Sequence, residues 1–209
     1  MSLTGISEKI VVEPYYFQNN IPGAPNDCYL REGAVKRLLK AVHFLPVDHY
    51  FIVFDAWRPY KVQLALYRQF EKQLQLKGLA GNELKKELTK YVDRPSEDPM
   101  RPSNHLTGGA IDLTIANKQG PLNMGSKFDE FTEMSRTDYF EQIKNPSPLD
   151  REIKENRKLL KSIMEKAGFT NYDEEWWHYD YGNQNWALKT GNEAIYGGVL
   201  ELAGHRITY

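Results

Sequence analysis

The chain has 209 residues, 41% of them hydrophobic and 26% charged, with a formal net charge of -1. This composition is that of a chain able to bury a core, and it excludes the disordered, collagen-like and fibrous classes. With charge near zero there is no electrostatic reason to expect nucleic acid or an anionic membrane as partner, so a small ligand is expected.

Cys28 is the sole cysteine, which rules out an intramolecular disulfide and a zinc site built from several thiolates. A metal here must sit on histidine and carboxylate. Residues 1–9 lack a basic stretch followed by an apolar one, and no apolar run reaches the roughly 18 residues of a membrane span. The expectation is therefore cytoplasmic, or periplasmic if a signal segment has been removed ahead of Met1. No Gly/Ser-rich or Pro-rich linker divides the sequence, so residues 1–209 are read as one domain.

In chain order, Val35, Leu38, Leu39 and Val42 recur at helical spacing before Pro46, and Tyr50 to Phe54 form a continuous apolar run expected to be a buried strand. Pro59 suits the first turn of a helix whose face carries Val62, Leu66, Phe70 and Leu74 up to Gly78. Asn82 can cap the next helix, with Leu84, Leu88 and Tyr91 inward. The proline-rich stretch Asp93 to Asn104 must be a loop, and it leads into His105. Ile111, Leu113 and Ile115 alternate as a strand, which puts Asp112 on the opposite face, and a turn is expected from Asn117 to Pro121. A long helix is predicted from about Asp150, as cap, to Ala167, stopped by Gly168; the aromatic run Trp176 to Tyr181 reads as a strand. Strands mixed with unevenly spaced helices indicate an α+β fold.

Three clusters carry chemistry. In the first, His105 precedes Asp112 by seven residues, with Gly108 and Gly109 between them letting a loop residue and a strand residue converge. In the second, Glu175 and His178 lie among Trp176, Trp177 and Tyr179; taken alone, that run reads first as a packed aromatic strand with a charged edge. Jointly, His105, Asp112 and His178 complete the three protein ligands of a catalytic zinc and leave a fourth position for water, with Glu175 free to act as a base. Residues 175 and 178 face opposite sides of a regular strand, so a turn or bulge is expected between them. The third cluster is Asp55 to Pro59, at a strand-to-helix junction. Arg58 there could form a structural salt bridge with Asp55 or Glu71, or offer its fork of donors to an oxyanion or carboxylate. Of the five histidines, His43, His49 and His205 are left as ordinary residues, so one metal per chain is expected.

Ser103-Asn104-His105-Leu106-Thr107-Gly108-Gly109-Ala110-Ile111-Asp112 resembles the Ser-x-His-x-x-Gly-x-Ala-x-Asp signature of the zinc D,D-peptidase superfamily at every fixed position. Asp55 to Pro59, Glu175-Trp176-Trp177-His178-Tyr179 and the stretch from Asp112-Leu113-Thr114 to Phe128-Asp129 resemble the VanX-type D-alanyl-D-alanine dipeptidases within it. The likeness spans roughly residues 10 to 185, and Trp176 stands where the carboxypeptidase branch usually has proline. It implies a hedgehog/D,D-peptidase-like fold: a central, mostly antiparallel sheet with flanking helices. It further implies one zinc on His105, Asp112 and His178, Glu175 as acid/base, Arg58 stabilising the intermediate, Ser103 helping to hold the substrate and Asp129 receiving its ammonium group. The implied partner is a small D,D-dipeptide rather than nucleic acid or membrane. Two other readings stay open at this point: a D,D-carboxypeptidase or peptidoglycan endopeptidase of the same superfamily, and a zinc-binding interaction module without catalysis.

Overall fold

The alternating run around Ile111 becomes the middle of a six-stranded sheet in the computed structural model, which describes residues 1–202; His205 lies outside the described residues. The strands are β1 (Ile10–Val12), β2 (Tyr50–Asp55), β3 (Ala110–Asn117), β4 (Gly120–Pro121), β5 (Thr170–Asn171) and β6 (His178–Asp180). They lie in the order β1-β2-β3-β6-β5, with β4 folded back on β3. The β1–β2 pair is parallel, and all the other pairs are antiparallel. The helices are α1 (Tyr15–Gln18), α2 (Glu32–Val42), α3 (Tyr60–Leu76), α4 (Gly81–Tyr91), α5 (Pro148–Ala167) and α6 (Gln184–Thr190). This is the expected α+β architecture with a mostly antiparallel sheet. None of the helices is long and apolar enough to cross a membrane.

Ile111, Leu113 and Ile115 share one core with Val35 and Leu38 of α2 and with Leu160, Ile163 and Met164 of α5. Fully burying each such side chain stabilises the fold by about 1.5–3 kcal/mol, which fixes the register of β3 and hence the face on which Asp112 emerges. A bulge between Val53 and Asp55 then sets Asp55 directly opposite Asp112 across the β2–β3 pair. Bulges re-aim side chains in this way next to sites. A smaller apolar cluster joins Phe70 and Leu74 of α3 to Leu84, Leu88 and Tyr91 of α4, with Phe131 packed against it.

Several predicted boundaries move. The long helix begins at Pro148, not Asp150: Pro148 occupies its first turn, Ser147 caps it, and Asp150 returns a bond to the Ser147 amide at 2.8 Å. A proline with no N–H to lose and a serine that accepts the orphan amide explain the earlier start. Pro59 is the extended residue before α3 rather than inside it, and α4 starts at Gly81 with Ala80, not Asn82, at the cap. The aromatic strand shortens to His178–Asp180, because a turn occupies residues 176–177.

Arg157 ties α5 to the long connection that precedes it. Its buried guanidinium donates to the carbonyls of Met124 at 2.7 Å, Arg136 at 2.6 Å and Met134 at 2.7 Å, and lies over the Phe140 ring at 4.8 Å. Replacing Arg157→Met leaves three carbonyls short of their donor, and each unsatisfied buried group costs about 1–3 kcal/mol. The expected loss is about 3 kcal/mol or more in urea unfolding; an unchanged midpoint would show that the clamp adds nothing.

Candidate active site

His105 is set by a single 3-10 turn, His105–Thr107, at the end of the proline-rich loop. Asp93 anchors that loop by accepting from the Asn104 amide at 2.7 Å and its side-chain nitrogen at 2.9 Å. Gly108 then takes the left-handed conformation at φ 68° that ends the turn and starts β3. Gly109 does not share that conformation; a side chain there would meet the Tyr181 carbonyl at 2.5 Å. The two neighbouring glycines thus have different reasons, one conformational and one of space.

His105, Asp112 and His178 come together as a buried cluster able to hold a metal ion. His105 Nε2 lies 3.1 Å from His178 Nδ1 and 3.4 Å from Asp112 Oδ2, and His178 Nδ1 lies 3.0 Å from Asp112 Oδ1. Tetrahedral zinc with bonds of about 2.0–2.1 Å sets neighbouring ligand atoms about 3.3–3.4 Å apart; the separations here, which run to both Asp112 oxygens, are close to that size. Proton positions strengthen the fit. His105 Nδ1 sits 2.6 Å from the Ala56 carbonyl, which can only accept, so Nδ1 carries the proton and Nε2 is bare. His178 Nε2 sits 3.0 Å from Asp180 Oδ1, which likewise leaves Nδ1 bare. Three lone-pair atoms then face one another with no donor among them, an arrangement that a cation satisfies.

The electrostatics point the same way. Burial pushes the Asp112 carboxyl up, yet the two imidazoles pull it well below the usual carboxylate range. Burial pushes the His178 imidazole down, but Asp180 and Asp112 carry it well above the ordinary histidine value. Without a metal, the cluster recruits a proton to supply the missing positive charge.

Glu175 and Arg58 flank the cluster. The expected turn after Glu175 is present, with the His178 amide bonded to the Glu175 carbonyl at 3.3 Å. It swings Glu175 Oε2 to 3.8 Å from His178 Nδ1, while Trp176 and Trp177 turn into the core. Burial raises the Glu175 carboxyl well above its ordinary value. Arg58 pairs with Asp55 at 2.8 Å, not with Glu71, donates to Gln63 Oε1 at 2.9 Å, and places Nη2 3.4 Å from Asp112 Oδ2. It is therefore both a structural partner of Asp55 and a neighbour of the metal ligands.

Asp129 adopts the left-handed region at φ 62°, which aspartate tolerates better than most residues. Its Oδ1 accepts from Tyr16 Oη at 2.9 Å, and burial raises its carboxyl to about 7. Arg58, His105, Asp112, Asp129, Glu175 and His178 all line one cavity of about 180 Å³. Ser103 is not among the lining residues; it is buried, and its hydroxyl finds no protein partner. His49 reaches the Val47 carbonyl at 2.9 Å, outside this site.

Sequence reading missed Asp180 and Tyr16. Asp180 had a legible signal, since residues two apart share a strand face and His178-x-Asp180 would place both side chains together. Tyr16, whose ring lies 4.8 Å from the Arg58 guanidinium carbon, had none: nothing local links it to residues more than forty positions away.

Comparison with known proteins agrees with this geometry. The peptidase M15 family model, described as D-ala-D-ala dipeptidase, matches residues 9–194. A D-alanyl-D-alanine dipeptidase of Synechocystis sp. is 34% identical over 177 residues, 76% of this chain and 71% of that protein. One from Escherichia coli is 30% identical over 155 residues, 73% of this chain and 66% of that protein. A third, from Enterococcus faecium, is 30% identical over 178 residues, 79% of this chain and 82% of that protein. A family likeness running through both ligand-bearing segments sets aside the reading as a non-catalytic module, and the chain belongs to the D-Ala-D-Ala dipeptidase family of metallopeptidases.

Proposed function

We propose that this enzyme hydrolyses the free dipeptide D-alanyl-D-alanine, using one zinc ion held by His105, Asp112 and His178. The observation that carries the reading is the buried set of three bare acceptor atoms, flanked by the Glu175 carboxylate and the Arg58 guanidinium. Zinc bound by these three residues would act as a Lewis acid and would bring the ionisation of a water down to about 7. Glu175 takes the proton shed by the attacking water and returns it to the amine nitrogen as the peptide bond breaks. Arg58 stabilises the negative charge that grows on the substrate carbonyl oxygen. Because Asp55 and Gln63 hold the guanidinium in place beforehand, that stabilisation needs little rearrangement during reaction.

Asp129 receives the substrate ammonium, with Tyr16 steadying one of its oxygens. A cavity of about 180 Å³ is below the roughly 300–1,000 Å³ of drug-sized sites, which favours a free dipeptide over a longer wall peptide.

Wild-type enzyme should hold one zinc, and the combined alanine variant of His105, Asp112 and His178 should hold none, by elemental analysis after dialysis. Equal retention by both would reject the ligand assignment. Glu175→Gln should keep zinc and fold while turnover drops by about 10²–10⁴-fold. Arg58→Ala should lose about 10²–10³-fold in kcat; activity within tenfold of wild type would leave Arg58 with its Asp55 bridge alone.

N-acetyl-D-alanyl-D-alanine lacks the charge that Asp129 would meet and should be a very poor substrate, because the desolvated carboxylate is then left without a cationic partner from the substrate. Comparable kcat/KM for the free and acetylated dipeptides would instead indicate a carboxypeptidase. Asp129 also predicts a pH effect on stability. Its folded value of about 7 lies above the ordinary 3.8, so the native state binds the extra proton and loses stability as pH rises through that window. Asp129→Asn should therefore be more stable than wild type at pH 8 in thermal melts, and should erase the discrimination against the acetylated dipeptide.

A further inference from the structure

The family pattern ends at residue 194, and the next residues stay on the molecule. Residues 195–199 run as a strap across the segments that carry the site. The Ile195 and Tyr196 amides donate to the Gly182 carbonyl at 2.8 and 2.9 Å, just after β6. Gly198 donates to the Pro99 carbonyl at 2.8 Å, in the loop that leads to His105, and Val199 donates to the Leu106 carbonyl at 2.8 Å, beside His105 itself. The Val199 carbonyl accepts the Trp57 indole N–H at 2.8 Å; Trp57 adjoins Ala56, whose carbonyl orients the His105 ring. Arg31 completes the tie by donating to Thr107 and Gly197 carbonyls, each at 2.9 Å.

Tyr196 occupies a slot that three glycines from separate segments leave open. A side-chain carbon at Gly33 would lie 2.2 Å from the Tyr196 hydroxyl, at Gly182 2.7 Å from its ring and at Gly109 3.1 Å from its ring. Gly33 is in the first turn of α2, and Gly109 falls at an open position of the zinc-peptidase signature. Neither the backbone of Gly33 nor that of Gly109 requires glycine through a positive φ. Room for the tyrosine accounts for Gly33, and at Gly109 the ring adds to the closer Tyr181 carbonyl; Arg31 and Tyr181 close the slot with ring contacts at 5.5 and 6.1 Å.

We propose that the strap of residues 195–199, keyed by Tyr196 in its glycine slot, is a positioning element that fixes the His105 turn against the segment following β2 and so holds His105 at metal-ligating distance. The inference rests on the zinc reading above. The His105 turn is one short 3-10 segment between a proline-rich loop and a left-handed glycine, so it has little secondary structure of its own to fix the imidazole. The strap supplies bonds on both of its flanks and on the residue before Arg58. Tyr196 touches none of the ligands, so it acts through the backbone. Disturbing such outer partners typically lowers metal affinity about 10–100-fold.

The test compares Tyr196→Ala, Tyr196→Phe and Trp57→Phe with wild type and with Ser147→Ala, a variant weakened at the remote α5 cap. Zinc loss to a chromogenic chelator and the visible spectrum of the Co(II)-substituted protein are measured alongside thermal unfolding. Tyr196→Ala should lose zinc at least tenfold faster and show altered cobalt bands, and Tyr196→Phe, which keeps the ring, should restore both. Trp57→Phe removes one strap bond without emptying the slot, and should lose zinc several-fold faster even if Tyr196→Ala does not fold. Ser147→Ala should lose stability with its metal behaviour intact. Wild-type zinc retention and spectra in Tyr196→Ala or, where that variant does not fold, in Trp57→Phe would overturn the proposal, as would equal zinc loss in Ser147→Ala. A wild-type protein that binds no zinc at all would instead reject the function on which the proposal stands.

Discussion

Three ligand atoms buried close to one another, which need a cation or a recruited proton among them, set the terms for the rest of this molecule. Such a cluster repels itself unless positive charge enters it. Asp112 alone would be costly at 1% exposure; beside His105, His178 and Arg58 it remains a carboxylate. The surrounding residues maintain that demand rather than cancel it. Ala56 and Asp180 accept from the far nitrogens of the two imidazoles, so neither ring can turn a donor inward without giving up a hydrogen bond.

Around this cluster the charges are unbalanced by design of the fold. Asp55, Asp112, Asp180 and Glu175 are buried close together, and Arg58 answers two of them directly. The excess of acid makes the place attractive to a divalent cation and unattractive to an anion without one. Asp129 carries the cost of this arrangement most visibly, since burial raises its carboxyl to about 7 and its backbone is held at positive φ. A carboxyl raised by burial in this way is the kind of group that functional sites concentrate.

Rigidity comes from packing on the other side of the same residues. Phe54 stacks on Phe128 at 4.8 Å, Phe128 meets Trp177 at 5.5 Å, and Trp176 anchors its indole N–H on Ser126 at 3.0 Å. These aromatic contacts fix both ends of the Glu175–His178 turn. The bulge in β2 does the corresponding work for Asp55 and Arg58, and the register of β3 does it for Asp112. Each site residue thus depends on a different packing feature, and the small cavity is the place where they converge.

Much of this was legible in the residues themselves. The period-two run Ile111-Leu113-Ile115 fixed a strand and the side of Asp112, because alternation leaves no other way to bury three branched side chains. The spacing of His105, Asp112 and His178 indicated a metal set, and the three-residue interval between Glu175 and His178 required the turn that the fold contains. What the sequence could not decide was every relation between distant segments. That Arg58 answers Asp55 and Asp112 rather than Glu71 depends on a bulge with no sequence mark. The role of Asp180, the contact from Tyr16, and the use of Gly33, Gly109 and Gly182 as one slot for Tyr196 likewise arise only when segments far apart in the chain meet. Local spacing reports which side chains share a face; which faces meet is set by the packing of the whole core, and only the tertiary structure holds that information.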